Sequence, residues 1–169
     1  MTRCVVVMGV AGSGKSTVGT ALAQRLGWRF VDADDHHPSA NDDKMRRGIP
    51  LDDDDRGPWL AALNDLLRTQ QASGPAGAGA GGVVLACSAL TRAYRERLTA
   101  GIEDVAVVHL HGSPELLATR LRSRPGHFMP ADLLASQLAT LEEPLADDAL
   151  CLDAGRPVAA LVQQIASSI

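Results

Sequence analysis

Several common features are scarce or missing in this 169-residue chain. Cysteine is nearly absent. Cys4, Cys87 and Cys151 are an odd number with no CxxC spacing, which excludes a disulfide framework and argues against a zinc site. All three fall in stretches that read as strands, where they are expected as buried, reduced thiols packing as small apolar side chains. Basic excess is also missing: 16 Lys and Arg against 20 Asp and Glu leave a net charge of −4, the wrong sign for a nucleic-acid binder. No apolar run approaches the roughly 20 residues that a membrane-spanning helix needs. Met1-Thr2-Arg3 leads straight into the apolar stretch 4–8, without the h-region and cleavage site of a secretory signal. Neither nucleic acid nor membrane is an expected partner, and the expected location is the cytoplasm. No internal repeat is visible. What remains is a chain with 46% apolar residues, suited to a single globular domain over residues 1–169 with a sizeable core.

Short β-rich apolar runs alternate with helical patterns along that domain. Strands are expected at 4–8, 29–32, 83–87, 105–110 and 150–153. Helices are expected at 15–26, 41–47, 55–71, 92–100, 114–122, 130–141 and 158–168. Pro58 is tolerated in the first turn of its helix, and Ser113 caps a helix with Pro114 at its first position. Continuous apolar strands alternating with helices imply an α/β fold with a parallel sheet covered on both faces. The Gly- and Ala-rich segment 73–82 reads as a flexible surface loop without chemistry.

The strongest signal is Gly9-Val10-Ala11-Gly12-Ser13-Gly14-Lys15-Ser16, a full match to G-x-x-x-x-G-K-[ST] between a strand and a helix. Glycines let the backbone curl so that its N–H groups point at phosphate oxygens, and the helix N-terminus adds its positive dipole end. Lys15 is placed to reach the β- and γ-phosphates, and the Ser16 hydroxyl to ligate Mg²⁺. The motif by itself specifies a nucleotide phosphate. It does not separate a kinase from a GTPase or a motor ATPase. No Asn-Lys-x-Asp occurs, which argues against a GTPase, and a large ATPase needs far more chain. A small domain with an arginine-bearing lid at about 120–132 fits the nucleoside-monophosphate-kinase-like architecture.

Asp32-Ala33-Asp34 follows the second strand, and the carboxyl end of a parallel strand faces the ligand crevice. Strand alternation puts Asp32 and Asp34 on one side. One carboxylate can hold Mg²⁺ through water, and the other can take a proton from an attacking hydroxyl. The alternative is a solvated acidic turn, since 52–55 shows Asp used freely in turns. Arg120 and Arg124 are four apart, as on one helix face, and lead into Pro125-Gly126-His127-Phe128. That arrangement suits a lid closing on phosphates. His36 and His37 are adjacent and have no third ligand at metal spacing.

Together these residues resemble the small P-loop gluconokinases. Besides Met8–Ser16, the resemblance rests on Asp32-Ala33-Asp34 with His37-Pro38, Asn41 and Lys44-Met45, and on Gly48-Ile49-Pro50-Leu51 with Asp54-Asp55-Arg56 and Pro58-Trp59-Leu60. It continues through Cys87-Ser88-Ala89-Leu90 with Tyr94-Arg95, and through Arg120, Arg124, Gly126-His127-Phe128, Leu133-Leu134, Ser136-Gln137 and Thr140-Leu141-Glu142 before Pro144. The chain departs from the family at Ala33, where glycine is usual, and at Asp35 and His36, where apolar residues are common.

The resemblance implies a P-loop three-layer sandwich: a five-stranded parallel sheet, helices on both faces, a substrate region at about 34–60 and a small mobile lid. It implies transfer of phosphate from ATP with Mg²⁺ to the 6-hydroxyl of gluconate, and a homodimer. Catalysis falls to Lys15, Asp34, Arg120 and Arg124. Nucleotide falls to Gly9, Val10, Ala11, Gly12, Ser13, Gly14, Lys15, Ser16, Thr17, Arg120, Arg124 and, in the turn after the fifth strand, Arg156. Substrate falls to Asp34, His37, Lys44, Arg56, Ser88, Arg95 and His127. Metal falls to Ser16 directly and Asp32 through water. Trp59 reads as core. The rival enzyme is shikimate kinase or another small-metabolite P-loop kinase, and the non-enzymatic rival is an ATP-sensing regulator.

Overall fold

Strands built from consecutive Val, Leu and Cys have no face suited to water, and here neither face meets it: every residue of β1 (Cys4–Met8) and β3 (Val83–Ala86) is buried. The computed structural model describes residues 2–72, 81–124 and 131–169. The expected loop at 73–82 therefore lies mostly outside the described residues, as does His127. The remaining elements are α1 (Lys15–Leu26), β2 (Arg29–Asp32), a 3-10 turn (Ala33–His36), α2 (Ser39–Arg46), α3 (Asp53–Ala72), α4 (Arg92–Thr99), β4 (Val105–His111), α5 (Pro114–Arg122), α6 (Ala131–Thr140), β5 (Leu150–Asp153) and α7 (Val158–Ser168).

The strands form one five-stranded sheet in the order β2-β3-β1-β4-β5, parallel throughout. Alternation along β1 splits its side chains between two cores. Cys4, Val6 and Met8 join Leu85, Leu98 of α4, and Trp59, Leu60, Leu63 and Leu67 of α3. Val5 and Val7 join Val108, Leu110, the α1 residues Val18 and Leu22, and the α7 residues Leu161 and Ile165. A smaller third cluster lies at the carboxyl end of the sheet and gathers Val10, Ala11, Leu90, Leu117, Leu121 and Leu134. β1 has β3 on one side and β4 on the other, so its carboxyl end lies at a topological switch point, where open α/β sheets bind ligands.

α3 starts earlier than expected, and its cap explains why. Asp52 accepts the Asp55 N–H at 2.8 Å, and the Asp55 carboxylate accepts the Asp52 N–H at 3.0 Å. This is a reciprocal capping box with aspartates in both roles. Pro58 consequently lies inside the helix rather than in its first turn. Cys4 and Cys87 are buried as expected, but Cys151 is exposed, because β5 is an edge strand. Among the described residues, no helix is long and apolar enough to cross a membrane.

Leu63 is fully buried between α3 and the sheet. Leu63→Ala is expected to cost about 2–5 kcal/mol, read as a lower urea midpoint at unchanged slope.

Candidate active site

The turn from β1 into α1 is a loop that only glycine permits. A Cβ on Gly9 would stand 2.6 Å from Ser13 Oγ and 2.7 Å from the Leu110 carbonyl oxygen, and on Gly12 it would stand 2.8 Å from the Leu117 carbonyl oxygen. Gly12 and Gly14 have φ of 83° and 91°, in the left-handed region. α1 then begins with no side-chain cap at Gly14 and no acidic residue in its first turn. Its first N–H groups are left for an anion. Ser13 Oγ is buried and has no hydrogen-bond partner among the described residues. Such an orphan costs about 1–3 kcal/mol until an acceptor arrives. The loop is thus short of acceptors in the way that a phosphate would supply.

Charge is concentrated at this loop. Lys15 Nζ donates to the Val10 carbonyl at 3.1 Å. Burial pushes its ammonium below the usual lysine range, while Asp34 and Asp32 pull it back up and Arg124 adds to the lowering. Ser16 Oγ donates to Asp32 Oδ2 at 2.8 Å. Asp32 Oδ1 accepts the Asp34 N–H at 3.0 Å and thereby caps the 3-10 turn. Asp34 is therefore not on a continuing strand: β2 stops at Asp32, and the turn carries the second carboxylate to the cleft. Solvent reaches Asp34 there, yet flanking protein raises its pKa, with Asp32 adding to the effect and Lys15 and His37 opposing it. Cys87, buried nearby, is pushed up to about 12 by desolvation and stays a thiol.

The two arginines assigned to a shared helix face do not share one, since α5 ends at Arg122 and Arg124 lies beyond its cap at Ser123. Arg120 stays on α5. Its Nη2 donates to the Ala154 carbonyl at 2.6 Å, and its Nη1 lies 3.8 Å from where a Gly14 Cβ would be. It thus joins the start of α1 to the turn after β5. Arg156, in that turn, donates to Gln164 Oε1.

The segment at about 34–60, where the sequence leads one to expect substrate, is built from aspartates that serve structure and leave Arg56 without a carboxylate partner among the described residues. Lys44 Nζ is held by both oxygens of Asp55 at 2.7 Å, so this predicted ligand is already paired. Asn41 is buried and donates to the Asp55 carbonyl at 3.0 Å while lying 3.3 Å from His37 Nδ1. His37 stacks on Trp59 with ring centroids 4.2 Å apart, and the buried Trp59 indole donates to the Ala33 carbonyl at 2.8 Å. Arg56 lies 5.5 Å from the centre of the Tyr94 ring and donates to its hydroxyl at 3.2 Å. That hydroxyl donates in turn to Asp53. No carboxylate lies within ion-pair distance of Arg56 among the described residues.

Ser88 is half-buried just beyond β3. The next residue, Ala89, has φ of 44°, the sole positive value outside glycine among the described residues. Arg95 Nη1 donates to the carbonyls of Ala89 at 3.0 Å and Leu90 at 3.2 Å. The Leu90 carbonyl also accepts the Glu142 N–H at 2.9 Å. Arg95 therefore fixes the turn that presents Ser88. A further contact reaches the cradle from far along the chain: Gln137 of α6 accepts the Ala11 N–H at 2.7 Å. No spacing rule in the sequence points to that bond.

An uncapped glycine loop at the switch point of a parallel sheet, with a half-buried lysine and facing carboxylates, is the phosphate site of a P-loop kinase. A family model described as an AAA domain matches residues 4–144. A gluconokinase from Gluconobacter oxydans is 53% identical over 86% of this chain and 79% of its own length. A probable gluconokinase from Xenopus tropicalis is 44% identical over 98% of this chain and 92% of its own. The crystal structure of a gluconokinase from Sinorhizobium meliloti superposes with a TM-score of 0.81 at 43% identity, covering 97% of this chain and 90% of that one. The chain belongs to the gluconokinase family of P-loop kinases. A shikimate kinase from Acinetobacter baumannii, at 22% identity and a TM-score of 0.59, shares the fold alone.

The double hydrogen bond from Arg95 gives it a structural duty that a pure substrate ligand lacks. Arg95→Ala is expected to lower stability by about 1–3 kcal/mol as well as activity. A thermal unfolding midpoint unchanged from wild type would return Arg95 to the list of substrate ligands alone.

Proposed function

We propose that this protein phosphorylates D-gluconate at its 6-hydroxyl with ATP, giving 6-phosphogluconate and ADP. The observation that carries the reading is the likeness to gluconokinases over nearly the whole chain. An arginine without a carboxylate partner, on the substrate side of the cradle, supports it.

The N–H groups at the start of α1 and the Ser13 hydroxyl receive the phosphates, with Gly9, Val10, Ala11, Gly12, Gly14 and Thr17 shaping the loop. Lys15, Arg120 and Arg124 offset the charge on the transferred group. Asp34 orients the gluconate hydroxyl and accepts its proton as the new O–P bond forms and the bond to ADP breaks. A carboxylate with a raised pKa is a stronger base than a free one, which suits that task. Arg56 takes the gluconate carboxylate, a planar fork meeting a planar anion. His37 and Ser88 line the hydroxyl-bearing part of the sugar acid.

Ser16 and Asp32 place oxygen donors side by side, which fits a hard cation such as Mg²⁺. Among the described residues, no three His, Cys, Asp or Glu side chains cluster as a metal cage. That is the situation expected of an ion that takes its other ligands from water and phosphate. When bound, it neutralises charge on the nucleotide phosphates.

Coupled ADP release with ATP and Mg²⁺ is expected with gluconate and not with shikimate, AMP or no acceptor. Turnover on shikimate instead would overturn the substrate. Lys15→Ala and Asp34→Asn are each expected to lower kcat by about a hundredfold or more. Near-normal turnover of Asp34→Asn would remove Asp34 as the base. Arg56→Lys is expected to raise the gluconate KM several-fold, because the fork is lost, with little change in the KM for ATP.

A further inference from the structure

The Val10–Ala11 peptide is gripped at both of its polar atoms. Its carbonyl accepts from Lys15 Nζ at 3.1 Å, and its N–H donates to Gln137 Oε1 at 2.7 Å. Because an N–H needs an acceptor, this bond settles which end of the Gln137 carboxamide is oxygen and which is nitrogen. The amide NH₂ is then the end left over. It carries two donors, and none of them has a partner among the described residues. Gln137 is half-buried, and its helix is held against the cradle by Leu134, packed with Val10, Ala11, Leu117 and Leu121, and by Leu138. The side chain is thus fixed at its carbonyl, open to solvent at its nitrogen with no acceptor from the described residues, and one peptide plane away from Lys15.

We propose that Gln137 is a catalytic residue of this kinase, donating its amide N–H to the terminal phosphoryl group of ATP while its carbonyl holds the Ala11 peptide of the cradle. The proposal rests on the phosphotransfer reading above. It assigns α6 a direct part in that reaction, alongside Lys15. The carbonyl bond keeps the amide from rotating, so the donor is oriented before the nucleotide arrives, and no reorganisation is needed when charge moves onto the transferred group.

Two variants separate this role from a bracing one. Gln137→Glu keeps an oxygen for Ala11 but puts negative charge where the donor was. Gln137→Met keeps the length and adds no charge, but removes the donor and the acceptor for Ala11 together. For wild type and both variants, calorimetry measures the Kd for ADP and for the non-hydrolysable β,γ-imido analogue of ATP, with Mg²⁺ present. Gluconate phosphorylation is measured in parallel. Both variants are expected to bind the triphosphate analogue at least about tenfold more weakly, the size of a lost hydrogen bond to a charged acceptor, and to bind ADP within about threefold of wild type. Equal losses for the two nucleotides, or no loss for either, would overturn the proposal and leave Gln137 as a brace on the loop. If Gln137→Glu fails to fold, Gln137→Met decides by the same comparison. Failure of the wild type to phosphorylate gluconate would sink the acceptor assignment, while the two nucleotide affinities would still judge Gln137.

Discussion

The whole arrangement depends on the absence of one atom. β1 is buried on both faces, and the chain leaves it through Gly9, where a Cβ would collide with Ser13 Oγ and the Leu110 carbonyl. Only glycine lets the loop close that tightly against β4. Closing it sends α1 off from Gly14 with no side chain over its first N–H groups. In an ordinary helix, a serine or aspartate would satisfy those donors. Here they, and the buried Ser13 hydroxyl, are left without an acceptor. Lys15 meanwhile rests on the Val10 carbonyl. Local stability is given up in exchange for a site that an anion completes.

On the other side of the cleft the polar groups are mostly satisfied from within. Asp52 and Asp55 cap α3, Asp55 also neutralises Lys44, and Asp53 takes the Tyr94 hydroxyl. Residues that look like a surplus of acid are largely consumed in building the entry to one helix. Arg56 is left without a carboxylate partner among the described residues, propped on the Tyr94 ring. Asp34 completes the contrast: it is raised above an ordinary carboxylate, but Lys15 and His37 moderate that rise.

The parts legible in the sequence were those whose cause is local. The glycine loop could be read because its requirement is a backbone conformation at fixed spacing, and α1 and β5 lie at 15–26 and 150–153, as their periodicity implied. The position of Asp34 beside Asp32 has another cause than strand alternation. Alternation presumed that the strand continued, whereas the Asp32 side chain competes for the Asp34 N–H and turns the chain after one residue. Arg124 was placed on a helix that ends two residues earlier, at Arg122. Lys44, which the resemblance offers to substrate, is paired with Asp55 eleven residues on, a contact between two elements that sequence spacing does not show. Gln137 stands in the sequence only as part of the Ser136-Gln137 motif of the resemblance, with no role attached, because its bond to Ala11 spans 126 residues of chain. Cys151 seemed buried because a strand pattern does not say which strand is the edge.

The small apolar cluster of Val10, Ala11, Leu90, Leu117, Leu121 and Leu134 has a consequence for how such a chain can change over time. It contains loop residues that shape the phosphate site, a residue beside the Ser88 turn, and the inner faces of α5 and α6. A slightly larger or smaller side chain anywhere in it shifts the cradle, the Ser88 turn and the arginine-bearing helix together. Drift at these positions is therefore constrained to move in concert, with one change answered by another. The two larger cores, one on each face of the sheet, meet the site at separate points, as where Trp59 of one stacks on His37 and Ala154 of the other takes the Arg120 guanidinium.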